Sequence, residues 1–260
     1  MLLDIDVSGI TLKGEYLPPT IQRSTEECVK IAVCLHPWSW LGGNMNDPVL
    51  DIITESLQIK DYHVFRYNSR GVGGSSGWPS FTGFTEGKDL EAVVDWSLRY
   101  VQSHATSNAA DITVTIIGYS YGSLIASLHP LMQNTQIKTS HILISYPLGP
   151  RSYLTLFRSS TYASKLQELI RSQDSNVLII YGNQDEFTSA KSYESWVKEL
   201  AELRKDGSLK QSQTSGHNSE SGLVEQGQRG LTLLCRSGAS HFWRGRHGVW
   251  LSEVIGKWLR

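Results

Sequence analysis

Residues 112–126 read ITVTIIGYSYGSLIA, and no other stretch narrows the fold of this chain so far. A run of this kind, β-branched at every position from 112 to 117, suits a strand buried on both faces, as in a parallel sheet. It then breaks at Gly118-Tyr119-Ser120-Tyr121-Gly122, a G-x-S-x-G pattern, and resumes as a helix. In that context the serine occupies a sharp, strained strand-to-helix turn that lifts its Oγ above the sheet. The two glycines allow neighbouring chain to approach where a Cβ would collide. The helix that follows sets its first N–H groups and positive dipole end near the serine, which favours negative charge there. A glycine-rich turn with an incidental serine would explain the glycines alone; a nucleophile explains the whole stretch.

Similar runs recur at 29–37, 62–69, 141–147, 176–185 and 231–241, and a leading antiparallel hairpin is expected in DIDVSGITLKGEYLPP. Between the runs lie helix-compatible segments at 47–60, 87–104, 122–134, 192–205 and 248–260. The second carries Leu90, Val93, Val94, Leu98 and Val101 at amphipathic helical spacing. Strand–helix alternation implies βαβ units, hence an α/β fold: a mostly parallel sheet of about eight strands with helices on both faces. With 40% apolar residues among 260, one large domain spanning residues 1–260 is expected. Residues 205–230 (KDGSLKQSQTSGHNSESGLVEQGQRG) are rich in Ser, Gln and Gly and nearly lack large apolar side chains. They read as a flexible surface insertion, with His217 inside it.

A serine nucleophile needs a base and an orienting carboxylate, in chain order Ser, Asp or Glu, His, each just after a later strand. NVLIIYGNQDEF delivers Asp185 after such a strand, with Glu186 as the rival acid; the shorter side chain after the turn favours Asp185. LTLLCRSGASHFWRG delivers His241 beyond the last strand. Of the eight histidines, His247 is the serious competitor, but it starts the final helix, whereas small residues before His241 let its loop bend over the sheet. Two backbone N–H groups must also face the developing alkoxide. Tyr121, directly after the nucleophile, and Trp38, in the loop after the first central strand, are expected to supply them. His36 is expected to brace that loop by hydrogen bonding, and Arg70 to hold its turn through backbone carbonyls. Trp40, Tyr119 and Trp243, with Tyr121 and Trp38, are expected to form an aromatic wall at the mouth of the site.

The motifs HPWSWLGGNMND (36–47), FRYNSRGVGGSSG (65–77), YGNQDEFT and GASHFWRG join the G-x-S-x-G stretch to make the chain resemble the alpha/beta-hydrolase superfamily over nearly its whole length. The resemblance is to the small, uncapped serine hydrolases of that superfamily. It implies Ser120 as nucleophile, Asp185 as acid and His241 as base; the 205–230 insertion departs from the pattern. About thirty residues (147–176) separate ISYP from the acid-bearing strand, room for one helix around YASKLQELIRS but not for a lid of several. An open site of this kind suits a small-molecule carboxylic ester or thioester, cleaved through an acyl-enzyme. An amide, acyl transfer, or a non-catalytic binding role on the same scaffold are the alternatives.

The net charge of −1 supplies no field for nucleic acid or an anionic membrane, and no apolar run is long enough to span one. The N-terminal MLLDIDVSG is too short and acidic to read as a signal peptide. Three cysteines (Cys28, Cys34, Cys235) without C-x-x-C spacing suggest neither a disulfide framework nor a zinc site, which fits a reducing, cytoplasmic setting. No metal and no organic cofactor are implied.

Overall fold

A computed structural model describes residues 1–20, 28–104, 111–203, 209–214 and 230–259. Its strands are β1 (Leu2–Val7), β2 (Ile10–Leu17), β3 (Cys28–Leu35), β4 (Tyr62–Tyr67), β5 (Asp111–Tyr119), β6 (Ile137–Ile144), β7 (Asn176–Gly182), β8 (Leu209–Thr214) and β9 (Gly230–Arg236). They form one nine-stranded sheet in the order β1-β2-β4-β3-β5-β6-β7-β9-β8. The β1–β2 hairpin pairs antiparallel to itself and to β4, and every other pairing is parallel. The fold is therefore the expected α/β one, with one strand more than expected. That strand, β8, lies within 205–230 and pairs with β9 from Leu209↔Leu231 to Thr214↔Arg236. LKQSQT has no apolar run to announce it, because an edge strand can be held by main-chain pairing alone. Residues 205–208 and 215–229, including His217, lie outside the described residues, and Gly230 opens β9.

Strand alternation divides the core between two layers. Ile31, Val33 and Leu35 of β3 pack on one face, while Ala32 and Cys34 pack on the other. The first face is covered by α2 (Phe84–His104), α3 (Tyr121–Ala126), α5 (Ser159–Arg171) and α6 (Ala190–Glu202). The second is covered by α1 (Pro48–Ile59) and α7 (Arg246–Trp258). Asp47 caps α1, its carboxylate accepting from Val49 N–H at 2.9 Å with Pro48 at the first helical position. Helix α3 stops at Ala126, well short of the expected 134. Pro130 cannot continue a helix, and it biases His129 away from helical backbone.

From β3 the chain turns one way, through α1 to β4, and from β4 it returns, through α2 to β5 on the other side of β3. The carboxyl ends of β3 and β5 thus flank a topological switch point, where open α/β sheets leave a crevice for ligands. Between β6 and β7 stand only a single turn, α4 (Arg151–Leu154), and α5. Tyr162, Leu166, Leu169 and Ile170 tie α5 into the core, so it belongs to the helical layer and does not act as a lid.

Candidate active site

Ser120 follows β5 with φ 55° and ψ −120°, a conformation that a non-glycine residue holds only when its surroundings impose it. The surroundings do so through backbone. Ser120 N–H donates to Ile144 O at 2.9 Å, and Ser120 O accepts from both Ser123 N–H (2.8 Å) and Ser123 Oγ (2.6 Å). A Cβ on Gly118 would stand 2.3 Å from Gly122 O, and one on Gly122 would stand 2.5 Å from Leu35 O. Both glycines are therefore required by close approach, and the second presses the start of α3 against the end of β3.

The loops after β7 and β9 meet over this turn. Gln184 N–H donates to Ala239 O at 3.0 Å, and Gly238 N–H donates to Asn183 Oδ1 at 2.7 Å. The junction sets His241 between Ser120 and Asp185, with Nε2 2.8 Å from Ser120 Oγ and Nδ1 2.7 Å from Asp185 Oδ2. A carboxylate can only accept, so Nδ1 carries the proton and Nε2 is left to accept from the serine. Asp185 is held in turn: Oδ1 accepts from Phe187 and Thr188 N–H at 2.8 and 2.9 Å, and Tyr193 Oη lies 3.4 Å from Oδ2. The rival acid has another job, because Glu186 Oε2 accepts from the His241 main-chain N–H at 2.8 Å. His247 stands in the first turn of α7, and burial lowers its pKa.

Trp38 and Tyr121 present main-chain N–H groups that donate to no acceptor among the described residues. Trp38 is pinned through its carbonyl, which accepts from Leu41 and Gly43 N–H at 3.1 Å each. Beside it, His36 Nδ1 donates to Pro37 O (2.6 Å) and Nε2 accepts from Ser69 N–H (3.0 Å). Burial pushes the His36 ring down to about 4, which keeps it neutral and able to do both. His36 braces the loop, as expected. Arg70 acts differently from expectation: its guanidinium forms a two-pronged pair with Asp89 of α2, at 2.7 and 2.6 Å, where backbone carbonyls had been anticipated.

The aromatic wall needs correction. Tyr119 is 2% exposed and sits behind the histidine, its Oη donating to His241 O at 3.0 Å. Trp243 is 0% exposed, with Nε1 donating to Ser145 Oγ at 2.9 Å. Strand alternation sends Tyr119 into the α1/α7 layer, so neither ring can meet a substrate. Trp40 does stand exposed, stacked on Trp38 with centroids 6.0 Å apart. Besides Tyr119, at 5.5 Å, the rings at the histidine include two that the sequence does not single out, Phe187 and Phe242, whose centroids lie 4.6 and 5.7 Å from His241 in T-shaped geometry. Their adjacency in sequence to Asp185 and His241 was the available signal. Among the described residues no group of His, Cys, Asp and Glu could hold a metal ion, and no helix is long and apolar enough to cross a membrane.

Comparison with known proteins adds the frame for this geometry. The family model of the X-Pro dipeptidyl-peptidases (S15 family) matches residues 53–147, which include Ser120. The uncharacterised protein RP471 of Rickettsia prowazekii is 35% identical over 125 residues, 48% of each chain, so the match spans about half of that relative. An alpha-beta serine hydrolase homologue from Coxiella burnetii superposes with a TM-score of 0.65 at 23% identity, over 99% of this chain and 96% of its own. XC6422 from Xanthomonas campestris, a serine hydrolase without a lid, gives 0.65 at 21% identity, over 98% and 91%. Sheet order, uncapped crossover and these superpositions agree that the chain has the alpha/beta-hydrolase fold.

Proposed function

We propose that the protein is a serine hydrolase that cleaves a carboxylic ester or thioester through an acyl-enzyme. The observation that carries the reading is the continuous chain from Ser120 Oγ through the His241 ring to Asp185, with the serine on a strained turn. Ser120 Oγ attacks the carbonyl carbon while Nε2 takes its proton, and the imidazolium is held by Asp185, whose two main-chain donors keep it oriented. The carbonyl electrons move onto oxygen, and the Tyr121 and Trp38 N–H groups can donate hydrogen bonds to the resulting oxyanion; one such donor is worth about 3 kcal/mol of barrier. Collapse expels the alcohol or thiol, which leaves with the proton from Nε2. Water, deprotonated by the same nitrogen, then releases the acid and restores Ser120.

A crossover between β6 and β7 that carries no lid favours a bond that reaches the serine from an open face. The S15 match keeps amide cleavage as a second reading, since the same steps serve a leaving amine once Nε2 protonates it. The test is labelling by a fluorophosphonate probe, with Ser120→Ala as control. The wild type should be labelled and the variant not; an unlabelled wild type refutes the nucleophile and leaves a binding role on the scaffold.

A further inference from the structure

Most of the large apolar side chains that the described residues leave in water gather on a few loops, while Met1, Leu2, Ile59 and Val249 lie elsewhere. Trp40, Phe81, Tyr153, Leu156, Phe157 and Phe242 are all exposed, with Phe81, Tyr153 and Phe157 at 75%, 80% and 72%. They come from four separate loops, after β3, β4, β6 and β9, which all leave the same edge of the sheet as Ser120. Contacts close these loops around the serine. Trp40 stacks on Trp38. Phe81 precedes Gly83, where a Cβ would lie 2.9 Å from Tyr121 Oη. Tyr153 and Phe157 lie 6.1 Å apart, in the loop whose Gly149 abuts Phe187 O. Phe242 adjoins His241. Rings this exposed do not line a pocket for a small soluble molecule; they protrude from its rim.

The protrusion is built in. Helix α4 closes with Phe157 N–H donating to Ser152 O (2.6 Å) and Leu156 N–H to Tyr153 O (3.3 Å), the two bonds of a Schellman motif. Its left-handed position ordinarily takes glycine, yet Leu156 fills it with φ 44°, and Phe157 follows at φ 61°. Two bulky side chains are thus aimed outward by backbone that disfavours them, with no burial in return.

Charge points to the occupant. On the loops 36–47, 68–83, 145–158, 183–189 and 237–246 the exposed charges are Arg158, Arg244, Arg246 and Glu186. The Glu186 carboxylate is engaged by His241 N–H, and the Arg244 guanidinium stands 5.3 Å over the Phe242 ring. A chain of net charge −1 therefore turns a basic, aromatic edge outward around its candidate nucleophile. Aromatic rings that enter the interface, with arginines beside them, match an anionic lipid surface.

We propose that this edge docks on an anionic lipid surface, from which an ester is presented to Ser120; only that last step rests on the hydrolase reading. The docking face departs from the expectation of no membrane contact, which came from the whole-chain charge and which the vesicle test decides. The test is co-sedimentation of the full chain with vesicles of phosphatidylcholine alone and of phosphatidylcholine mixed with phosphatidylserine. The wild type should bind the mixed vesicles more tightly. A combined Phe81→Ser, Tyr153→Ser, Phe157→Asn variant should bind them at least about tenfold more weakly. Asparagine accepts the left-handed backbone at 157, so the fold is kept, and turnover of a short water-soluble ester should be unchanged. Arg158→Ser with Arg244→Ser should abolish the preference for phosphatidylserine. The docking face is overturned if the wild type binds neither vesicle, if the combined variant binds as well as the wild type, or if the face instead joins two copies, seen as a dimer that the variant dissolves. Fluorophosphonate labelling without vesicle binding would sink the docking face alone, and vesicle binding without labelling would sink the nucleophile alone.

Discussion

Gly122→Ala probes the junction that presses the start of α3 against the end of β3. The new methyl carbon would stand 2.5 Å from Leu35 O and 2.8 Å from His36 O, about an ångström short of ordinary contact in the first case. Both neighbours are main chain, so neither can swing aside as a flexible side chain would. Relief requires the start of α3 and the end of β3 to part, and those two segments carry the Tyr121 and Trp38 N–H groups. Overpacking of this size costs about 1–3 kcal/mol of stability. A misplacement of about an ångström between catalytic groups costs on the order of 100-fold in rate. Urea unfolding should show the modest stability loss, and kcat/KM for p-nitrophenyl acetate should fall about 100-fold under conditions where the variant is fully folded. A folded variant that keeps kcat/KM within about threefold of wild type would refute the claim that this contact sets the spacing of the two donors.

His241→Ala should abolish p-nitrophenyl acetate turnover while His247→Ala keeps it, because only the first ring touches both Ser120 and Asp185; the reverse result would move the base to α7. Asp89→Asn breaks the two-pronged pair that ties the loop after β4 to α2 and leaves Arg70 half paired; chemical denaturation should show a loss of about 2–4 kcal/mol. His36 and His141 are buried and neutral, their pKa values lowered by desolvation to about 4 and about 3. A lowered base contributes its full stability above the unfolded value near 6.5 and loses it as pH falls toward the folded value. Unfolding free energy should therefore drop by up to about 1.4 kcal/mol per pH unit for each ring between pH 6.5 and 4. His36→Asn should flatten that slope; an unchanged slope would show that His36 is not one of the groups responsible.

Much of the candidate site could be read locally because each member follows a strand directly. A buried parallel strand has a continuous apolar signature, so ITVTII, NVLIIY and LTLLC mark where Ser120, Asp185 and His241 emerge. The choice between Asp185 and Glu186 was legible for a similar reason, since the shorter side chain suits the turn. The separate place of Glu186, on the His241 main-chain N–H, was not. Side-chain direction at the mouth was misread because alternation along β5 puts Tyr119 beneath the sheet surface that Ser120 rises above. The face of a residue next to a strained turn depends on which layer covers it. Strand β8 escaped notice for the opposite reason, being held by main-chain pairing with β9 and not by apolar pattern.

The sequence by itself determined the elements and the order of the chemistry: a serine at a strand-to-helix turn, then an acid, then a histidine, each at a strand end. These are local properties, written in periodicity and in glycines a few residues apart. Only the tertiary structure decided what surrounds them. Phe81, Phe157 and Phe242 are far apart in the chain and individually unremarked, and Arg158 and Arg244 vanish into a net charge of −1. Parallel pairing brings the carboxyl ends of β3, β4, β6 and β9 to one edge, and so gathers their loops into a single apolar and basic rim around Ser120. That gathering is a consequence of strand order, which depends on long-range packing that no local window of sequence contains.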